Sequence, residues 1–193
     1  MRTYAIRILW CKVAIGGSDQ GCAALVVPWL RAGKEVDPLV QEKGKCWAEM
    51  TGIRMSGSDK PKHLVAPLKT HGRAIEKMWR SYHGAVDFLL DIARTSIVCD
   101  TIEQVNFLVE WIAQDQDVVV LRIKNRFDVD YDCGRTAGYR DVAMNLVLVS
   151  AQAQGQGLND TVFEIQIILA ELYEKKTEEG HQNYKKFRDL LVA

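Results

Sequence analysis

Three common features are missing from this chain of 193 residues, and each absence excludes a class of protein. The five cysteines are odd in number and never form a C-x-x-C pair, which argues against a disulfide framework or a zinc site and favours a reducing compartment. Neither charge is in excess, since 25 Lys and Arg balance 25 Asp and Glu, so no global field attracts nucleic acid or an anionic membrane. No apolar run approaches the roughly 18 residues of a membrane-spanning helix, because Arg7 and Lys12 interrupt the N-terminal segment.

The N-terminal segment leaves three interpretations open. Residues 1–18 contain Arg2, Arg7 and Lys12 and no acid. This composition is compatible with an organelle transit peptide, a buried first strand or a truncated upstream module. We therefore expect the protein in the cytoplasm or in the interior of an organelle, without a membrane partner.

Residues 1–62 are predicted to be a poorly defined extension, and residues 63–193 a single domain. Short apolar pieces between residues 16 and 62 are separated by glycines such as Gly33 and Gly44. Only the stretch from Pro38 to Met50, around Trp47, indicates a helix, and its period is weak.

Helices and strands alternate in the rest of the chain. An apolar stripe predicts a helix from about Lys69 to Leu90, and Thr101 with Gln104 forms a capping box that begins a second helix, with Ile102 in its buried stripe. Strands are predicted at 92–98, 118–127, 139–149 and 162–169, and charged helices at 170–193. The last three strands are joined by loops with no room for a helix, which predicts an antiparallel meander. The expected class is α/β (α+β).

Two strands carry polar side chains at every second position. Glu164 and Gln166 are expected on one face of the last strand, with Phe163, Ile165 and Ile167 in the core. The strand 118–127 is expected to place Val119, Leu121 and Ile123 on one face and Arg122, Lys124 and Arg126 on the other. Between Lys60 and Arg80, six Lys or Arg stand against one acid, Glu76, and form a local anion-attracting patch.

Four short motifs, in a fixed order, resemble those of a known family. They are D-I-A-R-T-S at 91–96, G-Y-R-D at 138–141, E-I-Q-I-I-L at 164–169 and H-Q-N-Y-K at 181–185. Residues 65–188 resemble the synthetase domain of the RelA/SpoT alarmone family, a branch of the nucleotidyltransferase superfamily, where the motifs read D-x-x-G-x-R, G-Y-R/Q-S-x-x, E-I-Q-I-R-T and H-W-x-Y-K. The resemblance implies a nucleotidyltransferase-like fold, with a mixed, largely antiparallel sheet flanked by helices. Nothing in the chain resembles the hydrolase module often attached in that family.

The same family holds its donor triphosphate with the pattern R-x-K-x-x-x-S-x-x-x-K. Aligned on its last lysine, this pattern falls on Pro67, Lys69, Arg73 and Lys77. Both lysines are retained and an arginine stands where the serine would be. Arg135 stands where the family has a lysine four residues before the tyrosine.

The implied activity is transfer of pyrophosphate from ATP to the 3′-hydroxyl of a guanosine nucleotide, with Mg²⁺ as the cofactor. By resemblance, Asp91 is a metal ligand and Glu164 is a second ligand or the base. Tyr139 would stack on the acceptor base. The candidate substrate-binding residues are Tyr139, Lys69, Arg73, Lys77, Arg135, Gln166, Lys124 and His181.

Each assignment has a simpler structural alternative. Asp91 is also a turn former, and Glu164 beside Gln166 is also typical of a solvated sheet face. Tyr139 fits a half-buried core aromatic. The cation row of the strand 118–127 is compatible with an ordinary exposed face paired with Asp128, Asp130 and Asp132. His181 also fits a structural hydrogen-bonding role.

Several positions depart from the family pattern. Arg94 replaces the glycine of the first motif and Ser96 its arginine, while Ala143 stands where a histidine follows the tyrosine. The apolar pair Ile168–Leu169 replaces Arg-Thr. These changes motivate an alternative function, a catalytically degenerate module that binds nucleotides or acts as a scaffold for a protein partner through its basic helix. RNA binding is a third hypothesis, and the neutral charge balance argues against it.

Overall fold

The computed structural model describes residues 19–55, 61–136 and 138–174. Three segments discussed above, residues 1–18, residues 56–60 and the motif at 181–185, lie outside these ranges. In chain order the elements are α1 (Asp19–Arg54), β1 (Lys62–Val65), α2 (His71–Tyr82), β2 (Ala93–Cys99), α3 (Ile102–Gln114), β3 (Val118–Asn125), β4 (Val142–Leu148), α4 (Ala151–Gly155), β5 (Val162–Leu169) and α5 (Ala170–Glu174).

The five strands form one mixed sheet in the order β1-β2-β5-β4-β3. Among the strands that the structure describes, only β2 and β5 pair in parallel, with Ala93 beside Phe163, and the other three pairs are antiparallel. The predicted class and the antiparallel meander of β3, β4 and β5 are therefore confirmed. β5 has the predicted bounds, and β1 was not predicted.

The core lies between one face of the sheet and the helices α1 and α3. Phe163, Ile165 and Ile167 are fully buried on this face, as their alternation with Glu164 and Gln166 predicts. Val105, Leu108 and Ile112 bury the predicted stripe of α3, but Ile102 is 40% exposed because it lies in the first turn. Thr101 caps α3 as expected, since its side chain accepts the Gln104 N–H.

A β-bulge changes the predicted faces of β3. The register shifts between Val120 and Arg122, so that Val120 lies beside Leu146 but Arg122 beside Asn145. Val119 consequently shares a face with Arg122 and not with Ile123, contrary to the simple alternation. The extra residue, Leu121, changes the phase of the strand and keeps Arg122 and Lys124 on the face opposite the core.

α1 is much longer than the helix predicted around Trp47, and the buried side chains of its second half belong to the same core as the sheet, whereas Val26 packs in a second cluster with α2. The glycines that interrupt its pattern lie where it packs closely on β2 and the residues before it. A Cβ on Gly33 would lie 2.4 Å from Ile92 Cγ2, and one on Gly44 would lie 2.9 Å from Thr95 Oγ1. These glycines permit close helix–sheet contact, and the two internal prolines, Pro28 and Pro38, further weaken the helical signal.

A polar anchor fixes the second half of α1. Trp47 Nε1 donates to Asp115 Oδ2 at 2.7 Å, and Lys43 Nζ lies 2.9 Å from the same oxygen. Burial alone would raise the pKa of Asp115, but the Asp117 backbone N–H, Lys43 and Trp47 outweigh it and lower that pKa. The anchor ties α1 to the turn between α3 and β3.

Two connections differ from the sequence-based expectation. α2 ends at Tyr82, well before Leu90, because His83 and Gly84 adopt positive φ angles of 50° and 88°. The loop between β4 and β5 contains the five-residue helix α4, whose first turn is capped by Ser150. No helix within the described ranges is long and apolar enough to cross a membrane.

The contact at Gly33 yields a stability prediction. Gly33→Ala should destabilise the fold by about 1–3 kcal/mol, because its methyl group overpacks the α1–Ile92 contact. Gly72→Ala is the matched control, since no atom lies within 4 Å of its Cβ position in α2 and alanine favours the helix by roughly 0.5–1 kcal/mol. Urea unfolding measures both, and a neutral Gly33→Ala would contradict the close approach.

The Asp115 anchor yields a second prediction. Asp115→Ala should lower the free energy of unfolding by about 1–3 kcal/mol at pH 7, because it leaves the buried Trp47 N–H unpaired. The lowered pKa of Asp115 stabilises the fold above the unfolded value of about 3.9, and this stabilisation is lost as the pH falls, so the variant should be less acid-sensitive. Asp117→Ala, at a half-exposed partner of Lys43, is the control and should cost less than about 1 kcal/mol.

Candidate functional site

The face of the sheet opposite α1 and α3 is polar. In register across the sheet, Arg94 of β2 lies beside Glu164 of β5, which lies beside Asn145 of β4, which lies beside Arg122 of β3. One row further along, Ser96, Gln166, Ala143 and Lys124 are neighbours. The polar positions predicted on separate strands thus form one continuous surface.

Asp91 lies at one edge of this polar face, two residues before β2. Its carboxylate oxygen Oδ2 is 2.9 Å from Lys69 Nζ and 2.8 Å from Lys77 Nζ. Lys69 is positioned by its backbone N–H, which donates to the carbonyl of Ile92 at 3.1 Å, and Lys77 projects from α2. Two lysines from the predicted phosphate-binding pattern therefore meet the predicted metal ligand.

The charges of this cluster influence one another strongly. Burial alone would raise the pKa of Asp91, but Lys77 and Lys69 outweigh it and lower that pKa. The Lys69 side chain is only 9% exposed, and its burial outweighs the attraction of Asp91, so the pKa of Lys69 is lowered. At the more exposed Lys77 the attraction prevails over burial and raises the pKa. The three groups form a compact cluster with one net positive charge when all are ionised.

Glu164 lies within electrostatic reach of this cluster. Burial raises the pKa of Glu164 first, and the negative charges of Asp91 and Asp141 raise it further, while Lys77 opposes the shift. Gln166 Nε2 donates to Glu164 Oε1 at 2.9 Å. The two acids singled out from the sequence therefore interact in space, and Glu164 retains a proton more readily than an exposed glutamate.

The carboxylates of Asp91 and Glu164 are suited to a divalent cation that also binds phosphate oxygens of a ligand. Among residues 19–55, 61–136 and 138–174, no three His, Cys, Asp or Glu side chains form a complete metal-binding group. Asp91 Oδ1, however, is buried and has no hydrogen-bond partner among these residues. Mg²⁺ is usually bound by one or two carboxylates plus phosphate oxygens and water, so Asp91 and Glu164 match its donor preference without a third acid.

A buried network that the sequence did not predict supports the predicted stacking residue, Tyr139. The Tyr139 hydroxyl donates to Asp141 Oδ2 at 3.0 Å, and Arg126 pairs with Asp141 Oδ1. Asp141 is fully buried, and Tyr139 is half-buried, as its structural alternative predicted. Burial first, and then Asp141, raise the pKa of Tyr139. Asp141 is part of the G-Y-R-D motif, and its place immediately before an apolar strand was the only available signal.

The remaining candidate cations do not pair with the loop acids as expected. Asp128 and Asp132 each accept the backbone N–H two residues ahead, and among the described residues neither forms an ion pair with the row of cations. Among the described residues, Lys124 forms no ion pair, and burial together with Arg126 lowers its pKa. Arg73 is exposed one helical turn before Lys77 and is likewise unpaired within the described ranges.

Asn145 and Arg94 are two further residues whose placement at the site was not predicted. Asn145 is buried beside Glu164, and its Nδ2 donates to the Leu90 carbonyl at 3.3 Å. Arg94 Nε donates to the Pro67 carbonyl at 3.3 Å, close to Lys69. His181 and the side chain of Arg135 lie outside the described part of the chain, so their predicted roles stay predictions.

No family model matches the chain, and no curated protein matches it. Several solved structures, however, match the chain over most of its length. The small alarmone synthetase 1 from Bacillus subtilis, bound to its product pppGpp, matches with a TM-score of 0.57 and 19% identity over 87% of this chain and 83% of that chain. The same protein bound to AMPCPP matches with a TM-score of 0.53 and 20% identity, covering 88% and 82% of the two chains.

An effector protein has a similar structure. The Type VI effector Tas1, in complex with its immunity protein, matches with a TM-score of 0.55 and 17% identity. The match covers 81% of this chain and 66% of that chain, just under two thirds. The sequence identities are low throughout, and the likeness across most of the chain is one of fold.

The half-buried position of Glu164 yields a prediction for the unliganded protein. Its raised pKa means that the folded state holds a proton more tightly than the unfolded chain, so stability falls as the pH rises through this range. Glu164→Gln removes the partly desolvated charge and can still accept the Gln166 hydrogen bond. Its melting temperature should exceed that of the wild type at pH 8, and the difference should shrink toward pH 4.

Metal-free thermal melts between pH 4 and pH 8 test this expectation. Glu110→Gln, at an exposed position of α3, is the control and should melt like the wild type at every pH. A lower melting temperature for Glu164→Gln at pH 8 would show that the charged carboxylate stabilises the fold.

Proposed function

We propose that this chain, which has the fold of the small alarmone synthetases, is a pyrophosphokinase that transfers pyrophosphate from ATP to the 3′-hydroxyl of a guanosine nucleotide. The observation that carries the proposal is the meeting of Asp91, Lys69 and Lys77 at the edge of a polar face that also holds Glu164. This arrangement joins a cluster suited to phosphate binding to a half-buried carboxylate. Ion pairing with the two lysines accounts for Oδ2 of Asp91 but not for the buried Oδ1, which has no hydrogen-bond partner among the described residues.

The cations are suited to the donor triphosphate. Lys69 and Lys77 are held side by side by one carboxylate, and exposed Arg73 adds a third positive charge on the same side of α2. Charge-assisted hydrogen bonds from ammonium and guanidinium groups to phosphate oxygens are strong and directional. These residues would fix the β- and γ-phosphates and offset the charge that develops during transfer.

Glu164 is suited to the proton transfer. A carboxylate with a raised pKa is a better acceptor for a hydroxyl proton near neutral pH than an ordinary glutamate. The acceptor 3′-oxygen would attack the β-phosphorus while its proton passes to Glu164. The O3′–P bond forms, the bond from the β-phosphorus to the bridging α–β oxygen breaks, and AMP leaves.

Asp91 would hold Mg²⁺ through Oδ1, with Glu164 as the second carboxylate within reach. When bound, the ion would neutralise negative charge on the phosphate oxygens. Tyr139, fixed through its hydroxyl by Asp141, would present its ring to the acceptor base. The pppGpp and AMPCPP complexes of the Bacillus subtilis enzyme support this assignment by fold likeness.

One observation favours a second candidate, a module that binds nucleotides without transferring pyrophosphate. The polar face of β5 ends at Ile168, which is 1% exposed and follows Gln166 on the same face. An apolar residue here cannot contact phosphate or orient Glu164. This candidate predicts Mg²⁺-dependent binding of a non-hydrolysable ATP analogue with no product.

The experiment is a nucleotide-transfer assay with the full chain, ATP, Mg²⁺ and a panel of acceptors that includes GDP and GTP. Glu164→Gln should lower product formation by about 100-fold or more, because the proton acceptor is lost. Lys77→Ala should lower it by at least about tenfold through loss of a charged phosphate contact. Lys45→Ala, an exposed lysine of α1, is the control and should leave the rate unchanged.

Equal product from wild type and Glu164→Gln would remove Glu164 from the mechanism. Absence of product, together with calorimetric binding of the ATP analogue, would establish the second candidate. Absence of both would overturn the nucleotide proposal as a whole.

A further inference from the structure

Two aromatic rings pack together near the end of α2, and one of them contacts Lys77; neither has a part in the function proposed above. Tyr82 is the last residue of α2, and Phe88 lies in the short 3₁₀ turn Val86–Phe88. Their ring centroids are 5.7 Å apart and their planes are inclined by 31°. Phe88 is 55% exposed, whereas the next residue, Leu89, is 2% exposed.

The backbone turn after α2 brings these rings to the site. His83 and Gly84 adopt positive φ angles, which reverse the chain so that Phe88 packs back on Tyr82. The same reversal returns Asp91 to Lys77, one helical turn and a half before the end of α2. The single connection after α2 therefore brings both the Phe88 ring and the Asp91 carboxylate back to this helix.

Lys77 links the ring pair to the phosphate-binding cluster. Its Nζ atom is 2.8 Å from Asp91 Oδ2 and 5.4 Å from the centroid of the Tyr82 ring. Such a cation–π contact leaves the ammonium directed at both the carboxylate and the aromatic face. Phe88 packs against Tyr82, so the Tyr82 ring connects Phe88 to the ammonium group.

An exposed aromatic side chain alone carries little information, because single exposed apolar residues are common. Trp79, also on α2, illustrates this, since its partly exposed ring packs over Gly84 and supports the turn. Phe88 differs because its supporting contact is the ring of Tyr82, which in turn touches a lysine of the phosphate-binding cluster. A ring that is held by one neighbouring ring and is more than half exposed offers aromatic surface to a flat base.

We propose that the exposed face of Phe88 stacks on the base of the nucleotide whose phosphates bind Lys69 and Lys77, and that it favours purine over pyrimidine. The inference rests on the proposed function, because it needs a nucleotide at this cluster. A purine covers more of the ring than a pyrimidine, so its stacking is stronger. Stacking of a base on an aromatic side chain changes affinity by about 5- to 150-fold.

The test compares a ligand that has a base with one that has none. Calorimetry in the presence of Mg²⁺ measures binding of a non-hydrolysable ATP analogue and of inorganic tripolyphosphate to the full chain. Phe88→Leu should weaken binding of the ATP analogue by about tenfold and leave tripolyphosphate binding unchanged. The corresponding CTP analogue should bind the wild type more weakly than the ATP analogue, and Phe88→Leu should narrow that difference.

Two variants control for nonspecific effects. Phe107→Leu removes a partly buried ring that stacks on Trp111 of α3, away from the polar face, and should bind both ligands like the wild type. Phe88→Trp keeps a stacking surface and should retain the affinity of the wild type for the ATP analogue. Unchanged tripolyphosphate binding also shows that Phe88→Leu is folded.

Equal affinity of wild type and Phe88→Leu for the ATP analogue would overturn this inference and leave the proposed function standing. An equal loss for both ligands would also overturn it, because the effect would then reside in the phosphate-binding cluster. If the wild type binds neither ligand, the proposed function fails and this inference fails with it.

Discussion

The parallel pairing of β2 with β5 is the constraint on which the site depends. Ala93 lies beside Phe163 although the two are far apart in sequence, and the pairing sets Asp91, just before β2, close to Glu164, near the start of β5. Parallel neighbours need a long crossover, which here contains α3, β3 and β4. The meander therefore does more than complete the sheet, because it returns the chain to the point where the two acids interact.

Periodicity was sufficient for the parts of the fold in which local and tertiary preferences agree. β5 alternates strictly between core and polar face, so its bounds and the burial of Ile165 could be read from the sequence. The α3 cap was predictable for the same reason, since Thr101 and Gln104 interact locally. The antiparallel meander followed from loop length, and the mixed sheet was implied by the family resemblance.

The rest depended on contacts that a single sequence does not reveal. The sequence of α1 looks irregular because its glycines are required by the close approach of Ile92 and Thr95, which are distant in the chain. The pairing of Arg126 with Asp141, and not with the nearby acids of the loop, likewise depends on tertiary packing. At the site, the motifs named Asp91, Lys69 and Lys77 individually, but their convergence on one carboxylate oxygen required the turn at His83.

The bulge at Leu121 determines which chemistry β3 presents. With strict alternation from Val118 onward, Arg122 and Lys124 would point into the apolar layer beneath the sheet, and the cationic surface would not exist. The bulge absorbs Leu121, so Arg122 and Lys124 share the face of Val119 although an extra residue precedes them. Deletion of Leu121 would restore strict alternation with both cations still on that face, so the pairing of β3 with β4, and not the number of residues in β3, fixes the cationic surface.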